Sequence, residues 1–187
     1  LDNLPNDCLL ILDEAYAEFA PNEAETQISV DDPRVIRFRT FSKAYGIAGA
    51  RIGYGLASPD LIIEFDKIRN HFGNGLLSQV AAIAALKDQN YLSDVVKKIA
   101  VGKEKLYETA KKNGLSAIPS ATNFVAIDCG KDSSFAVQVM NGLLEANVFV
   151  RKPVVAPLDR TIRVSVGRDD ELDIFDNVLP KVLKTLL

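Results

Sequence analysis

Several residue types are scarce in this sequence, and each scarcity argues against a class of protein. The 187 residues contain two cysteines, one histidine and no tryptophan. Cys8 and Cys129 stand far apart, so we expect neither a disulfide framework nor a cysteine metal site, and predict two small buried side chains in a reducing compartment. His71 lacks partners at the spacing of a catalytic triad or a metal site, so we interpret it as a loop residue and expect no metal.

Basic residues are not in excess either. The chain has 22 lysines and arginines against 25 acidic residues, a formal charge of −3 and a pI near 5.3. A nucleic-acid surface normally shows a basic face, so we expect no nucleic-acid partner. We find no signal peptide and no apolar run of membrane length, and therefore expect a cytoplasmic protein without a membrane partner.

The apolar pattern of the first half predicts an α/β fold, with helices packed on a mostly parallel sheet. The continuous apolar run at 8–12 is typical of a strand buried on both faces. Residues 35–41 alternate between two faces and predict a second strand, and residues 51–57 predict a third. The helices predicted in this half follow Ser58 and cover residues 78–86 and 91–113.

The second half predicts a small α+β domain. Its expected elements are strands at 123–128, 148–152 and 161–167, a helix at 133–147 and a final helix from about residue 169, which Pro180 should kink. We therefore predict two domains: part of a large domain at 1–90 and a small carboxyl-terminal domain at 91–187.

Polar side chains cluster where the first two predicted strands end, which is where open α/β sheets place ligands. They are Asp13 and Tyr16 after the first strand, Thr40 at the end of the second strand with Ser42 and Lys43 after it, and Arg51 at the start of the third. Gly46 and Gly49 break the regular pattern, so Lys43 lies on a connection between buried strands. Desolvation lowers the pKa of a lysine, and the neutral amine attacks carbonyl carbon.

These residue types are the ones that a pyridoxal phosphate site needs. The cofactor takes a lysine for its Schiff base, a carboxylate for its pyridinium nitrogen, and hydroxyls with an arginine for its phosphate. A tyrosine can donate to the phenolate oxygen of the ring. The sequence therefore predicts a site for pyridoxal 5'-phosphate around residues 40–54.

Two motifs carry a family resemblance: Leu-Asp-Glu-Ala-Tyr at 12–16, and Thr-Phe-Ser-Lys-Ala-Tyr-Gly at 40–46 with Gly-Ala-Arg-Ile-Gly at 49–53. Together they resemble the fold type I, class I and II pyridoxal phosphate aminotransferases, with histidinol-phosphate aminotransferases as the closest branch. The resemblance spans nearly the whole chain. It implies that Lys43 forms the Schiff base and moves the proton between the substrate Cα and C4′ of the cofactor.

The resemblance also implies roles for the other site residues. Asp13 would keep the pyridine nitrogen protonated and Tyr16 would bond the 3-oxygen of the ring. The remaining three, Thr40, Ser42 and Arg51, would hold the phosphate.

Two arginines within apolar predicted strands indicate anion binding. A planar guanidinium forms a bidentate fork to a carboxylate or phosphate. The resemblance implies that Arg163 binds the α-carboxylate of the substrate, or the group that replaces it, and that Arg151 contacts a distal substrate phosphate. The alternative for both is an ion pair with one of the acidic residues.

The resemblance implies transamination between an amine or amino acid and a 2-oxo acid by a homodimer, with histidinol phosphate and 2-oxoglutarate as the preferred substrates, in histidine biosynthesis. The alternatives are an aromatic aminotransferase, a phosphothreonine decarboxylase, an effector domain of a transcription regulator, or an inactive fragment. Because the chain starts at Leu1 without the upstream half of the family's large domain, we expect it to be the carboxyl-terminal half of a parent enzyme.

Overall fold

The chain forms two units, each built around its own sheet. A computed structural model describes residues 1–24 and 26–186. We call Leu1–Val96 the amino-terminal unit and Lys97–Leu187 the carboxyl-terminal unit. Strands and helices are mixed in both, so the predicted α/β class is confirmed. The domain boundary near residue 90 stays a prediction.

In the amino-terminal unit, strands β1 (Leu10–Asp13), β2 (Val35–Thr40) and β3 (Gly53–Ala57) lie side by side in that order. β1 runs parallel to β2, and Asp13 lies opposite Phe38. β3 runs antiparallel to β2, and Thr40 lies opposite Gly53. The three strands predicted here are present, and the sheet has one parallel and one antiparallel pairing.

The helices of this unit begin close to where the sequence indicates. They are α1 (Pro59–Asp66), α2 (Leu76–Lys87) and the first part of α3 (Gln89–Lys112). Pro59 occupies the first turn of α1, where a missing backbone N–H costs little. The buried hydroxyl of Ser58 precedes it but finds no hydrogen-bond partner within the described residues.

A small apolar cluster anchors the connection between β2 and β3. Phe41 and Tyr45 are buried there together with Ala82 of α2. The ring centroids of Phe41 and Tyr45 are 4.9 Å apart, and Tyr54 of β3 lies 5.6 Å from Phe41. Offset and tilted aromatic pairs of this kind stabilise a fold beyond their buried area. The segment on either side of Lys43 is thus fixed to β3 and α2.

Two sequence-based predictions about the start of the chain are wrong. β1 is not buried on both faces, because Leu9 and Ile11 are 51% and 65% exposed while Leu10 and Leu12 are half-buried. Cys8 is exposed, and Cys129 is buried as predicted. The first error arises because the part of the chain that the structure describes leaves the face of Leu9 and Ile11 open. Cys8 precedes β1, on the side of Leu10 and Leu12, so its exposure is a separate feature of the segment before the strand.

The carboxyl-terminal unit has an antiparallel sheet in the order β4, β5, β6. Its elements beyond α3 are β4 (Ser116–Ile118), β5 (Phe124–Asp128), α4 (Ser133–Glu145), β6 (Thr161–Ser165) and α5 (Asp169–Leu186). Gly114 follows α3 with φ +71°, as expected of a helix C-cap. The side chain of Asp132 caps α4 by accepting a hydrogen bond from Phe135 N at 2.9 Å. α5 continues through Pro180.

The core of this unit is contiguous. Its fully buried aliphatic side chains come from two helices and two strands as well as α3: Leu106, Val125, Ile127, Val139, Leu143, Ile162 and Leu179. Burial of each such side chain contributes about 1.5–3 kcal/mol relative to exposure. This core accounts for the fixed arrangement of β5 and β6.

The predicted strand at 148–152 is wrong. Only Arg151 pairs, in a single antiparallel bridge to Arg163 of β6. Asn147 before the segment has φ +62°, and Pro153 after it has no N–H to donate, so a longer ladder cannot form. The sequence-based reading also missed β4, which is three residues long. Among the described residues, no helix is long and apolar enough to cross a bilayer.

Candidate active site

The carboxyl end of β1 carries the first group of predicted site residues. Asp13 is exposed there, and its Oδ1 accepts a hydrogen bond from Ala15 N at 3.0 Å, which turns the chain. Glu14 N donates to Phe38 O at 2.9 Å, so pairing with β2 extends one residue beyond β1. Tyr16 follows at this turn, half-buried.

The carboxyl end of β2 carries the second group. Thr40 Oγ1 accepts a hydrogen bond from Ser42 N at 3.0 Å, which turns the chain out of the strand. The turn closes with Gly46 N donating to Lys43 O at 2.9 Å, and Gly46 has φ +72°, a conformation that favours glycine. Lys43 is half-buried, and its Nζ lies 5.2 Å from the centroid of the Tyr16 ring. The residues that follow the two strands therefore meet.

Arg51 lies between the two glycine turns and β3. Its φ and ψ are 51° and 48°, the left-handed region that non-glycine residues adopt at a cost of about 1 kcal/mol or more. The exposed guanidinium donates from Nη1 to Ala48 O at 2.9 Å. Two residues later a Cβ at Gly53 would lie 2.6 Å from Arg39 O, so only glycine lets β3 approach β2 this closely. The strained backbone of Arg51 marks it as a candidate for function.

The sheet register sorts these side chains by face. Asp13 lies opposite Phe38, and Thr40 is two residues further along β2, so Asp13 and Thr40 share one face of the sheet. Arg37 and Arg39 lie on the other face, as the alternation predicts. All six cofactor-binding residues predicted from the sequence belong to the amino-terminal unit. They offer one carboxylate, one phenol, two hydroxyls, one amine and one guanidinium.

A partly buried charge cluster behind this face was not predicted from the sequence. Glu14 accepts hydrogen bonds from Arg37 Nε at 3.0 Å and from Arg39 Nε at 2.9 Å. The signal was present: two arginines at alternate positions of a strand with apolar neighbours require acidic partners, and Glu14 is the acid beside Asp13.

The two predicted substrate-binding arginines belong to the carboxyl-terminal unit. Arg163 N donates to Arg151 O at 2.6 Å and Arg151 N donates to Arg163 O at 3.1 Å, so the two residues lie directly opposite each other. Opposed residues of a bridge project from the same face, and the Arg163 Cζ lies 4.6 Å from the Phe124 ring centroid. Within residues 1–24 and 26–186, neither guanidinium forms an ion pair with a carboxylate. This arrangement suits an anion.

A protein-family comparison identifies the same region of sequence. The model of aminotransferases of class I and II matches residues 3–178. A histidinol-phosphate aminotransferase of Carboxydothermus hydrogenoformans is 40% identical over 190 residues, which is 100% of this chain and 52% of that protein. One of Moorella thermoacetica is 35% identical over 98% of this chain and 48% of its own length. The chain thus spans about half the length of the curated relatives that it matches.

Solved structures agree with the fold. The histidinol-phosphate aminotransferase of Sinorhizobium meliloti, crystallised with pyridoxal-5'-phosphate, superposes with a TM-score of 0.95 and 51% sequence identity. The superposition covers 98% of this chain and 51% of that one. The site residues therefore belong to a chain that resembles about half of a cofactor-containing protein.

Proposed function

The chain belongs to the family of class I and II aminotransferases, and we propose that the natural protein carrying it transfers the amino group of histidinol phosphate to 2-oxoglutarate. The observation that carries this proposal is Lys43, with Nζ 5.2 Å from the centroid of the Tyr16 ring, on the connection between β2 and β3. The similarity to histidinol-phosphate aminotransferases supports the choice of amino donor.

The donor set of the amino-terminal unit fits pyridoxal 5'-phosphate, which we propose as the cofactor. When bound, this group supplies a carbonyl carbon for amines and a ring that withdraws electrons. Asp13 would hold a proton on the ring nitrogen through its carboxylate, and Tyr16 would donate its hydroxyl to the ring oxygen. Lys43 would hold the cofactor through Nζ and then use Nζ to move a proton during transfer.

Three further groups suit the phosphate of the cofactor. The hydroxyls of Thr40 and Ser42 lie on one tight turn, where Thr40 Oγ1 already fixes the backbone of Ser42. The Arg51 guanidinium is exposed and adds a permanent positive charge. A left-handed residue two positions before β3 keeps that charge on the connection instead of in the strand. We propose that these three side chains bind the phosphate together.

The arginine pair supports an anionic substrate. Like charges directly opposite each other on a sheet destabilise it, and a bound dianion removes that penalty. Histidinol phosphate offers a phosphate and 2-oxoglutarate offers two carboxylates, so one pair of guanidiniums could serve both half reactions. We assign the main contact to Arg163, beside the Phe124 ring, and the distal phosphate to Arg151.

Three wider features are part of the same proposal. The domains would be part of a large cofactor-binding domain at 1–90 and a small carboxyl-terminal domain at 91–187. The protein would be a cytoplasmic enzyme, which the free thiols of Cys8 and Cys129 support because disulfides are rare in a reducing compartment. It would act as a homodimer, supported by exposed leucines at the start of α2, since exposed apolar patches often mark interfaces.

Amino-donor specificity tests the function. The natural protein would be supplied with pyridoxal 5'-phosphate, 2-oxoglutarate and one of three donors: histidinol phosphate, phenylalanine or phosphothreonine. We expect glutamate to form fastest with histidinol phosphate, and we expect Arg163→Gln to raise KM for that donor about tenfold or more. A matched Arg168→Gln variant, on an exposed arginine, should keep the wild-type KM.

Other outcomes point to other functions. Faster glutamate formation from phenylalanine would indicate an aromatic aminotransferase, and carbon dioxide release from phosphothreonine would indicate a decarboxylase. Failure of the natural protein to bind pyridoxal 5'-phosphate at all would contradict the proposal.

A further inference from the structure

The charge cluster behind the candidate site has no part in the function proposed above. It consists of Glu14, Glu18, Arg37 and Arg39, which we call the Glu14 cluster. The side chains of Glu14 and Glu18 are 9% exposed, and those of Arg37 and Arg39 are 12% and 22% exposed. Charged side chains that have lost most of their contact with water are costly unless they are paired and hydrogen-bonded. The cluster contains two positive and two negative groups, which satisfies the first condition.

Glu14 is the centre of this cluster. Its Oε1 lies 2.8 Å from Arg37 Nη2 and 3.0 Å from Arg37 Nε, and its Oε2 lies 2.9 Å from Arg39 Nε. One carboxylate thereby ties the end of β1 to two alternate positions of β2. Glu18 lies at the margin, with Oε1 3.9 Å from Arg39 Nη1.

The ionisation of Glu14 agrees with this geometry. Burial by itself raises the pKa of a carboxyl, but hydrogen bonds from Arg37 and Arg39 outweigh burial and lower the pKa of Glu14 below 4.5. Burial likewise opposes the charge of Arg39, while the hydrogen bond to Glu14 leaves its pKa raised. Tyr54 and Glu18 are the other titratable groups that face Arg39. Glu14 and Arg39 are therefore both charged at neutral pH.

The position of Glu14 in the chain links the cluster to the site. Glu14 lies between Asp13 and Ala15 in the chain. The N–H of Ala15 donates a hydrogen bond to Asp13 Oδ1. Arg39 likewise precedes Thr40. A shift of one residue in the β1 register would move Asp13 to the wrong face of the sheet. Four residues of β1 pair with β2, and the hydrogen bond from Glu14 N adds one more contact. One face of β1 is open in the part of the chain that the structure describes, so packing within that part holds this register weakly.

We infer that Glu14 is a positioning residue, which through Arg37 and Arg39 fixes the end of β1 against β2 and so sets Asp13 and Thr40 on the opposite face of the sheet. This inference rests on the proposed function of that face as a cofactor site. Glu14 itself lies behind the site and would touch neither cofactor nor substrate. Its effect would pass through the backbone of β1 and β2.

The test compares Glu14→Gln with Glu64→Gln in the natural protein. Gln keeps the shape of Glu14 but removes the charge and turns an NH2 toward a guanidinium. Glu64 is exposed on α1 and, among residues 1–24 and 26–186, pairs only with Lys67, so it is a matched control. Hydrogen exchange of the cofactor-free protein follows the amides of residues 14 and 15, which bond to Phe38 O and Asp13 Oδ1. Fluorescence titration then gives the affinity for pyridoxal 5'-phosphate.

We expect Glu14→Gln to speed exchange at residues 14 and 15 about tenfold or more, on the order of what loss of a hydrogen bond to a charged group costs. Exchange in α2 should not change. Affinity for pyridoxal 5'-phosphate should fall about tenfold. The pH titration of the absorbance of the bound cofactor should also shift, because the Asp13 carboxylate would be displaced from the position in which it would hold a proton on the ring nitrogen. Glu64→Gln should match the wild type in every measurement.

A second variant keeps the test decisive if Glu14→Gln folds poorly. Arg39→Lys retains the charge but loses the Nε donor, so the same amides should exchange faster by a smaller factor. Hydrogen exchange could instead rise equally throughout the amino-terminal unit while cofactor affinity stays unchanged. That result would show that Glu14 only stabilises the unit, and it would overturn the inference. If the wild type does not bind pyridoxal 5'-phosphate, the proposed function fails, and unchanged exchange at residues 14 and 15 in the variants then overturns the positioning role separately.

Discussion

The carboxyl-terminal unit is held by a contiguous apolar core, whereas the amino-terminal unit has a small aromatic cluster, a partly buried charge cluster and many exposed apolar side chains. The predicted cofactor-binding residues all lie in the amino-terminal unit. Sites that bind ligands are often drawn from regions of low local stability, where hydrogen bonds and ion pairs set geometry that a core would set elsewhere. The difference indicates that changes in the two units should affect different measurements.

Lys43→Ala should give the largest effect of the substitutions considered, a large loss of activity with little change in stability. We expect transamination by the natural protein to fall by about 10⁴-fold or more, because the variant loses the amine that holds the cofactor and moves the proton. The free energy of unfolding should change by about 1 kcal/mol or less, since the interaction of Lys43 that is lost is a contact with the Tyr16 ring. Glutamate formation and urea denaturation measure the two quantities. Turnover that survives in this variant would exclude Lys43 as the catalytic lysine.

Leu179→Ala should have the opposite signature. Leu179 is 0% exposed in the core of the carboxyl-terminal unit, and truncating such a leucine costs about 2–5 kcal/mol through lost burial and a cavity. Leu86→Ala, at a position 47% exposed near the end of α2, is the matched control and should cost about 1 kcal/mol or less in the 187-residue chain. Urea denaturation measures both. Equal losses of unfolding free energy in the two variants would mean that the core of the carboxyl-terminal unit contributes no more to stability than a surface leucine does.

Gly53→Ala should weaken the amino-terminal unit at one place. The new Cβ would lie 2.6 Å from Arg39 O, a backbone atom that cannot move aside without displacing β2, so we expect a loss of about 1–3 kcal/mol. Gly49→Ala meets nothing within 4 Å and should be neutral or stabilise the chain by up to about 1 kcal/mol. Hydrogen exchange of the β2 and β3 amides reports the change. Similar protection in both variants would show that β3 can shift freely.

The change of stability with pH should be the smallest of these effects. Stability should fall toward acid pH in the amino-terminal unit and toward alkaline pH in the carboxyl-terminal unit. In the folded protein the pKa of Glu14 lies below 4.5, because hydrogen bonds from its two arginines outweigh the effect of burial. The contribution of Glu14 is therefore complete above pH 4.5 and is lost as pH falls through the folded value. Burial raises the pKa of the Cys129 thiol from 9.0 to about 11, so its contribution is complete below pH 9.0 and is lost as pH rises toward 11.

Amide protection measured as a function of pH checks both the loss of stability at acid pH, called the acid arm, and the loss at alkaline pH, called the alkaline arm. Each single group can give a slope of at most about 1.4 kcal/mol per pH unit. Glu14→Gln should flatten the acid arm in the amino-terminal unit, and Cys129→Ala should flatten the alkaline arm in the carboxyl-terminal unit. An acid arm that persists in Glu14→Gln would have to come from another carboxylate.

Local pattern predicted the elements because each strand and helix carries its own periodicity. Alternation over residues 35–41 predicted both the strand and its two faces, and the glycines at 46 and 49 correctly put Lys43 on a connection. The errors lie where local pattern and neighbours disagree. Residues 148–150 are as apolar as a strand, but the left-handed Asn147 and the following proline leave Arg151 with a single bridge. β4 was missed because three residues carry too little periodicity.

The sequence by itself determined the family, the residue types of the candidate site and the order of the elements, because motifs and periodicity are properties of neighbouring residues. Tertiary structure alone decided which side chains meet. The pairing of Glu14 with Arg37 and Arg39, the contact of Lys43 with Tyr16 and the bridge between Arg151 and Arg163 join residues 12–27 positions apart. Such contacts depend on strand register and chain reversal, which are set by packing and by the hydrogen bonds of the whole sheet.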